Sequence, residues 1–283
     1  MVFAGGRLTI GETRSLRDVR ELVPNRPLAT NATVGLIDAS GSQLYLGYTD
    51  GRMGSLDLNT GREVKSAVGL ESAVAFLSLS ADGKQLASVS QGGSVRVQDT
   101  ETFQPIITLT NACLALTCLC FSRDGHLLAA ASQQDEIFLW DLRTGVQRFR
   151  MIGHKGRINS LDFSPDGRRL ASASWDGTAG LWDVVTGQRQ ATLRAHLLGV
   201  NCVAFSPDGQ RLAGGTGDGL IKLWNVADGQ EVLTLTGPRD VNQVAFLPGD
   251  ETLVSVTPNS IQLWPAPSLK DITETERRAQ RVP

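Results

Sequence analysis

The chain has 283 residues, with 27 Lys+Arg against 29 Asp+Glu, a formal net charge of −2 and 41% hydrophobic residues. That balance excludes the strongly basic surface of a general nucleic-acid binder, and equally a charge-dominated disordered chain. No run of 18 apolar residues offers a membrane-spanning helix, and Met1-Val-Phe-Ala-Gly-Gly-Arg lacks the basic and apolar regions of a secretion signal.

In chain order, Val2-Phe-Ala-Gly-Gly aligns with Leu44-Tyr-Leu-Gly-Tyr at an offset of 42, so residues 1–25 read as a partial unit lacking its first strand. Whole units follow at about 28–67, 68–109, 110–151, 152–193, 194–235 and 236–278. Their register is carried by Phe163-Ser-Pro-Asp-Gly-Arg-Arg-Leu-Ala, which returns as Phe205-Ser-Pro-Asp-Gly-Gln-Arg-Leu-Ala and has an earlier copy at Phe121. Trp140, Trp182 and Trp224 close three units, 42 residues apart; Leu56 and Gln98 stand at the two preceding closing positions, and Trp264 follows after 40. Self-similarity at this period is the first thing to settle in a sequence, and here it decides the fold.

Within 152–193 the pattern predicts strands over 158–163, 170–174, 178–182 and 190–193. Pro165-Asp-Gly167, Asp176-Gly177 and Thr186-Gly187 are the turns between them. In the last unit, residues 269–278 are expected to supply the fourth strand. A unit of four short strands cannot bury its own faces, so neighbours must stack. The reading is all-β: a single-domain β-propeller of four-stranded antiparallel blades, six full and one partial, closing as a seven-bladed ring.

The closing Trp182-Asp183, the preceding Gly153-His154 and the turn residue Asp176 resemble the WD-repeat β-propeller family, and the resemblance covers nearly the whole chain. The stretch Trp264-Pro-Ala-Pro-Ser followed by Ile272-Thr-Glu-Thr-Glu-Arg-Arg is similar to the tails of bacterial WD-repeat regions, where the propeller is often attached to a kinase. In the family, a histidine 28 residues before the tryptophan bonds the turn Asp and a strand Ser or Thr, and through it the indole. The resemblance thus implies a network of His154, Ser172, Asp176 and Trp182. It implies a second, incomplete one of His196, Asp218 and Trp224, where Gly214 replaces the serine.

A Ser/His/Asp set suggests a hydrolase. Here the set recurs with the repeat, which favours a structural staple. A propeller lactonase would need carboxylates and histidines converging from several blades, and the first-strand entries show Asn, Thr and Ala instead. His126 follows a turn and reads as a solvated loop residue. Cys113, Cys118 and Cys120 cluster, but Cys118 and Cys202 occupy one strand slot two repeats apart, so they read as buried packing residues rather than a metal site. Four cysteines make no disulfide framework, which points to a reducing, cytoplasmic setting. The glycine-rich run 214–219 lacks the Gly-Lys-Ser/Thr ending of a P-loop.

The surface remains. The resemblance places partner-facing positions at Arg157, Asn159 and Trp175, with Gln133, Asn201 and Asn242 as counterparts. Trp175 is the one tryptophan outside a closing position. An exposed Trp beside an Arg has the composition of a binding hot spot. The expected function is a non-enzymatic, monomeric scaffold for a protein or peptide partner. It would use no cofactor, metal, nucleic acid or membrane. The alternative is a regulatory or sensor domain separated from a bacterial kinase-type protein.

Overall fold

The computed structural model describes residues 2–4, 7–10, 20–22, 31–109, 115–195, 198–247 and 252–265. The chain divides into two compact units, Met1–Leu119 and Cys120–Pro283. Every sheet is a meander, since each strand pairs with its chain neighbour.

In the first unit, β1 (Val2–Ala4), β2 (Arg7–Ile10) and β3 (Arg20–Leu22) form a three-stranded sheet. Two four-stranded sheets follow. One holds β4 (Ala32–Ile37), β5 (Gln43–Tyr48), β6 (Arg52–Asp57) and β7 (Arg62–Val68). The other holds β8 (Val74–Leu79), β9 (Gln85–Ser90), β10 (Val95–Asp99) and β11 (Pro105–Leu109). Val74, Leu77 and Leu86 of the second pack on Tyr45 and Met53 of the first.

The unit boundary falls inside β12 (Leu116–Phe121), the first strand of a sheet that continues through β13 (Leu127–Ser132), β14 (Glu136–Asp141) and β15 (Val146–Ile152). Next come β16 (Ile158–Phe163), β17 (Arg169–Ser174), β18 (Thr178–Asp183) and β19 (Arg189–Arg194). Then follow β20 (Val200–Phe205), β21 (Arg211–Thr216), β22 (Leu220–Asn225) and β23 (Glu231–Thr236). The last sheet has three described strands, β24 (Gln243–Phe246), β25 (Thr252–Thr257) and β26 (Ser260–Pro265). The fourth strand expected at 269–278 lies outside the described residues.

Two turns recur among the described four-stranded sheets. Between first and second strands, the Ser164 hydroxyl donates to Asp166 Oδ1 at 2.6 Å, and that oxygen also accepts the Arg168 amide at 3.0 Å. Ser80–Asp82, Ser122–Asp124 and Ser206–Asp208 repeat the arrangement. Between second and third strands, the chain passes through a left-handed residue, Gly177 at φ +83°, which favours glycine because it has no Cβ. Asp135 holds the same turn position at φ +64°.

Neighbouring sheets pack small on large. The β16–β19 sheet presents Ala171, Ala173, Ala179 and Leu181 to Val200, Val203, Phe205 and Trp224 of the β20–β23 sheet. That sheet in turn presents Cys202, Ala213, Ile221 and Leu223 to Val241, Val244 and Leu253. The small residues of the second strands therefore make room for the next sheet's bulk, and each leucine buried there contributes on the order of 2 kcal/mol.

Register shifts in the first strands fall between Ala32 and Val34, Ile158 and Ser160, and Val200 and Cys202, so Thr33, Asn159 and Asn201 sit on β-bulges. A bulge re-aims a side chain. Here it turns each one toward the following sheet.

Candidate functional site

The β16–β19 sheet gathers most of the expected residues. Ser172 on β17 faces Gly180 on β18, and Leu170 faces Trp182. The Trp182 indole N–H donates to Ser172 Oγ at 2.8 Å, and His154 Nε2 lies 2.6 Å from the same oxygen. His154 Nδ1 lies 2.9 Å from Asp176 Oδ2. The ionised Asp176 can only accept, so Nδ1 carries a hydrogen, and burial favours the neutral ring, which leaves Nε2 to accept the Ser172 hydroxyl.

Burial holds the His154 pKa below its ordinary value, against the pull of Asp176. Burial works against the Asp176 carboxylate too, but hydrogen bonds from Thr178, the Lys155 amide and His154 outweigh it and bring its pKa to about 2. Ser172 is fully buried and its oxygen is occupied on both sides. No substrate can reach it. The set holds a blade together and has no access for acyl transfer.

Two members were not foreseen from the sequence. The guanidinium of Arg189 lies 5.2 Å from the Trp182 ring centroid, and it donates to Gly153 O at 2.7 Å and to Thr178 Oγ1 at 3.3 Å. Gly180 supplies the space: a Cβ there would stand 2.8 Å from both Ser172 Oγ and Trp182 Nε1.

In the following sheet His196 lies outside the described residues. Asp218 accepts from the Thr216 hydroxyl, and Trp224 is buried with its six-membered ring over Gly214. Lys222 stands where Gly180 would be and pairs with Glu231 at 2.5 Å. In the last sheet Trp264 Nε1 donates to Ser255 Oγ at 2.8 Å, a serine–tryptophan pair the sequence reading passed over. The hairpin before Trp264 has two residues, Pro258 and Asn259, instead of three, which shifts the serine by one.

The surface candidates separate into two kinds. Asn159 donates to Val200 O at 3.4 Å, Asn201 donates to Val241 O at 3.2 Å, and Thr33 bonds Val74 O at 2.5 Å. These are clasps from one sheet to the first strand of the next. Asp162 adds another: its Oδ2 accepts the Phe205 amide at 2.7 Å, and burial, outweighing that bond, pushes its pKa up to about 7. Gln133, Asn242 and Arg157 are exposed, as is His126. Trp175 is 57% exposed, with the Arg157 guanidinium 5.2 Å from its ring centroid and its amide bonded to Arg157 O at 2.9 Å. Gly199 closes against it, since a Cβ there would stand 3.0 Å from Trp175 Cα.

Cys118 and Cys202 are buried, and burial pushes the Cys202 thiol up to about 12, so it behaves as a small hydrophobe. Cys113 lies outside the described residues. Among the described residues, no group of three or more His, Cys, Asp or Glu is placed to hold a metal.

Four-stranded meanders stacked small face on large face, three of them pinned by the buried Trp140, Trp182 and Trp224, are the blades of a β-propeller. Residues 103–141, 145–183 and 187–225 match the family described as WD domain, G-beta repeat. Each match opens before the outermost strand of one sheet and closes at the third strand of the next. In fold the chain is similar to one in the crystal structure of mitotic checkpoint complex. The TM-score is 0.80, with 19% identity over 92% of this chain and 81% of that one. No curated protein matches the sequence.

Proposed function

We propose that this chain is a non-enzymatic scaffold that presents the loops around Trp175 to a protein or peptide partner. WD-repeat propellers generally serve as protein-interaction scaffolds. The observation that carries the reading is Trp175 itself. It leaves more than half its surface in water, yet Arg157 and the Gly199 backbone hold it in place. A large aromatic already fixed in position loses little freedom on binding, which is the property of a hot-spot residue. Asn159 and Asn201 support the site by clasping the sheets beneath it.

The test compares wild type with Trp175→Ala by capture of interacting proteins, followed by titration of those recovered. Truncation is expected to cost ~2 kcal/mol, about a thirty-fold loss of affinity, with the melting temperature unchanged. Hydrogen-exchange protection should fall on the 174–178 hairpin. Unchanged affinity, or protection confined to other loops, would remove Trp175 from the site.

A further inference from the structure

Four of the described sheets carry the same apolar row across their second, third and fourth strands. Ala87 pairs with Val97 and Val97 with Ile107; Ala129, Leu139 and Phe149 follow suit. So do Ala171, Leu181 and Ala191, and then Ala213, Leu223 and Leu233. Residues directly opposite one another share a face of the sheet, so each row is an unbroken apolar strip. The β4–β7 sheet fills this row with Tyr45, Ser55 and Lys65. Tyr45 packs with Leu77 and Leu86 of the β8–β11 sheet, so the polar row faces that neighbour.

The same seam departs from the repeat a second time. Gly61, Gly145, Gly187 and Gly229 take the left-handed position in the turn before each fourth strand, but before β11 that position is Phe103, at φ +60°. A bulky side chain is strained there. Its ring stacks on Tyr45 with centroids 6.4 Å apart, and the stack braces the tyrosine.

Beside Tyr45 and Lys65 lies a cleft of about 410 Å³, within the size range of small-ligand sites. Asp82 and Glu101 of the β8–β11 sheet line its other wall, and Asp38 its rim. Asp38 is held by its own turn, accepting from Ser40, Ser42 and the Gln43 amide. Asp82 accepts through Oδ1 from the Ser80 hydroxyl at 2.6 Å and the Lys84 amide at 3.0 Å, which leaves Oδ2 to the cleft. Among the described residues, no ion pair or side-chain hydrogen bond engages Lys65 or Glu101. Lys65 is half-buried, where an unpaired charge is costly. Two opposite charges thus stand on facing walls of one cleft without meeting.

We propose that this cleft binds a free α-amino acid, its carboxylate on Lys65 Nζ and its ammonium on the Glu101 carboxylate beside Asp82 Oδ2. A simple anion would meet three carboxylates, and a simple cation would leave Lys65 unpaired. A ligand carrying both charges satisfies both walls.

The probes are the common α-amino acids, each titrated separately into the full chain and followed by backbone amide shifts. At least one should bind saturably, with shifts at Lys65, Gly83 and Glu101. Its N-acetyl derivative and its amide each lack one charge, and each should bind about five-fold more weakly, the upper end for an exposed ion pair. Lys65→Gln should cost the amino acid a similar factor and leave the amide, which has no carboxylate, unchanged. Glu101→Gln should do the same while leaving the N-acetyl derivative unchanged. Both variants should melt with the parent, and the comparison of ligand analogues on the wild-type chain needs neither. Absence of saturable binding by every amino acid overturns the proposal. So does an amide that binds as tightly as its parent, because the cleft then takes a plain cation. Normal binding by both variants, or shifts confined to the Trp175 hairpin, also overturns it.

Discussion

The β16–β19 and β12–β15 sheets share one backbone and opposite interiors. In both, the closing tryptophan faces a leucine on the second strand, Leu170 for Trp182 and Leu128 for Trp140. Beneath Trp182 runs a chain of hydrogen bonds through Ser172, His154 and Asp176. Beneath Trp140 the serine position is Ala130 and the glycine position is Phe138, whose ring stacks 5.8 Å from the indole. A blade can thus anchor its tryptophan with a polar network in which every member is satisfied, or with none. A half-built network leaves buried groups without partners, which is the costly case.

The largest expected effect comes from forcing one interior into the other. Gly180→Phe alone should cost more than about 4 kcal/mol, because even a Cβ collides with Ser172 and Trp182. Adding His154→Ala and Ser172→Ala gives this sheet the composition seen around Trp140, and stability should return to within about 2 kcal/mol of the parent. Urea melts read both. A triple variant no more stable than the single one would mean that the two interiors are not interchangeable.

Next in size, His154→Ala should cost ~1–3 kcal/mol by leaving Ser172 and Asp176 unsatisfied, while His126→Ala on the exposed turn should stay within about 0.5 kcal/mol. Equal midpoints would show that the network adds nothing.

Smaller still are the pH effects, which separate the groups by sign. His154 has a folded pKa below the unfolded 6.5, so the unfolded chain takes up the proton first and stability falls as pH drops below about 6.5. The advantage of the parent over His154→Ala should therefore shrink between pH 7 and 5. Asp176, held at about 2, withdraws its contribution only below about pH 4. Asp162 acts in the opposite sense. Its folded pKa of about 7 lies above the model-peptide value of 3.8, so its ionisation weakens the fold as pH rises from 4 through 7. Asp162→Asn keeps an acceptor for the Phe205 amide and should gain about 1 kcal/mol at pH 8. A loss there would show that the charge stabilises the clasp.

Much of this was legible in the sequence because a repeat states its own alignment. The 42-residue spacing located the sheets, the Asp-Gly turns bounded their strands, and the family resemblance, carried over through the 28-residue step from His154 to Trp182, implied four members of the network. The limits were those of side-chain direction. Asn159 and Asn201 read as surface residues, and nothing in the period reveals the bulge that turns them onto a neighbouring carbonyl. Arg189 has Gln147 and Glu231 at its counterpart positions, so the repeat gives no sign of its place over the indole. Ser255 was missed because one deleted hairpin residue puts it nine rather than ten positions before its tryptophan.

Each WD repeat begins with the outer strand of one sheet and ends with the third strand of the next. This offset bears on how such a chain can change length over evolutionary time. Excising or duplicating any 42-residue stretch removes or adds the complement of a full sheet, wherever the breakpoints fall, and rejoins strands in their old order. Recombination between copies therefore never has to pass through a severed sheet. The number of copies can drift, while side chains inside each copy diverge into interiors as unlike as those beneath Trp140 and Trp182.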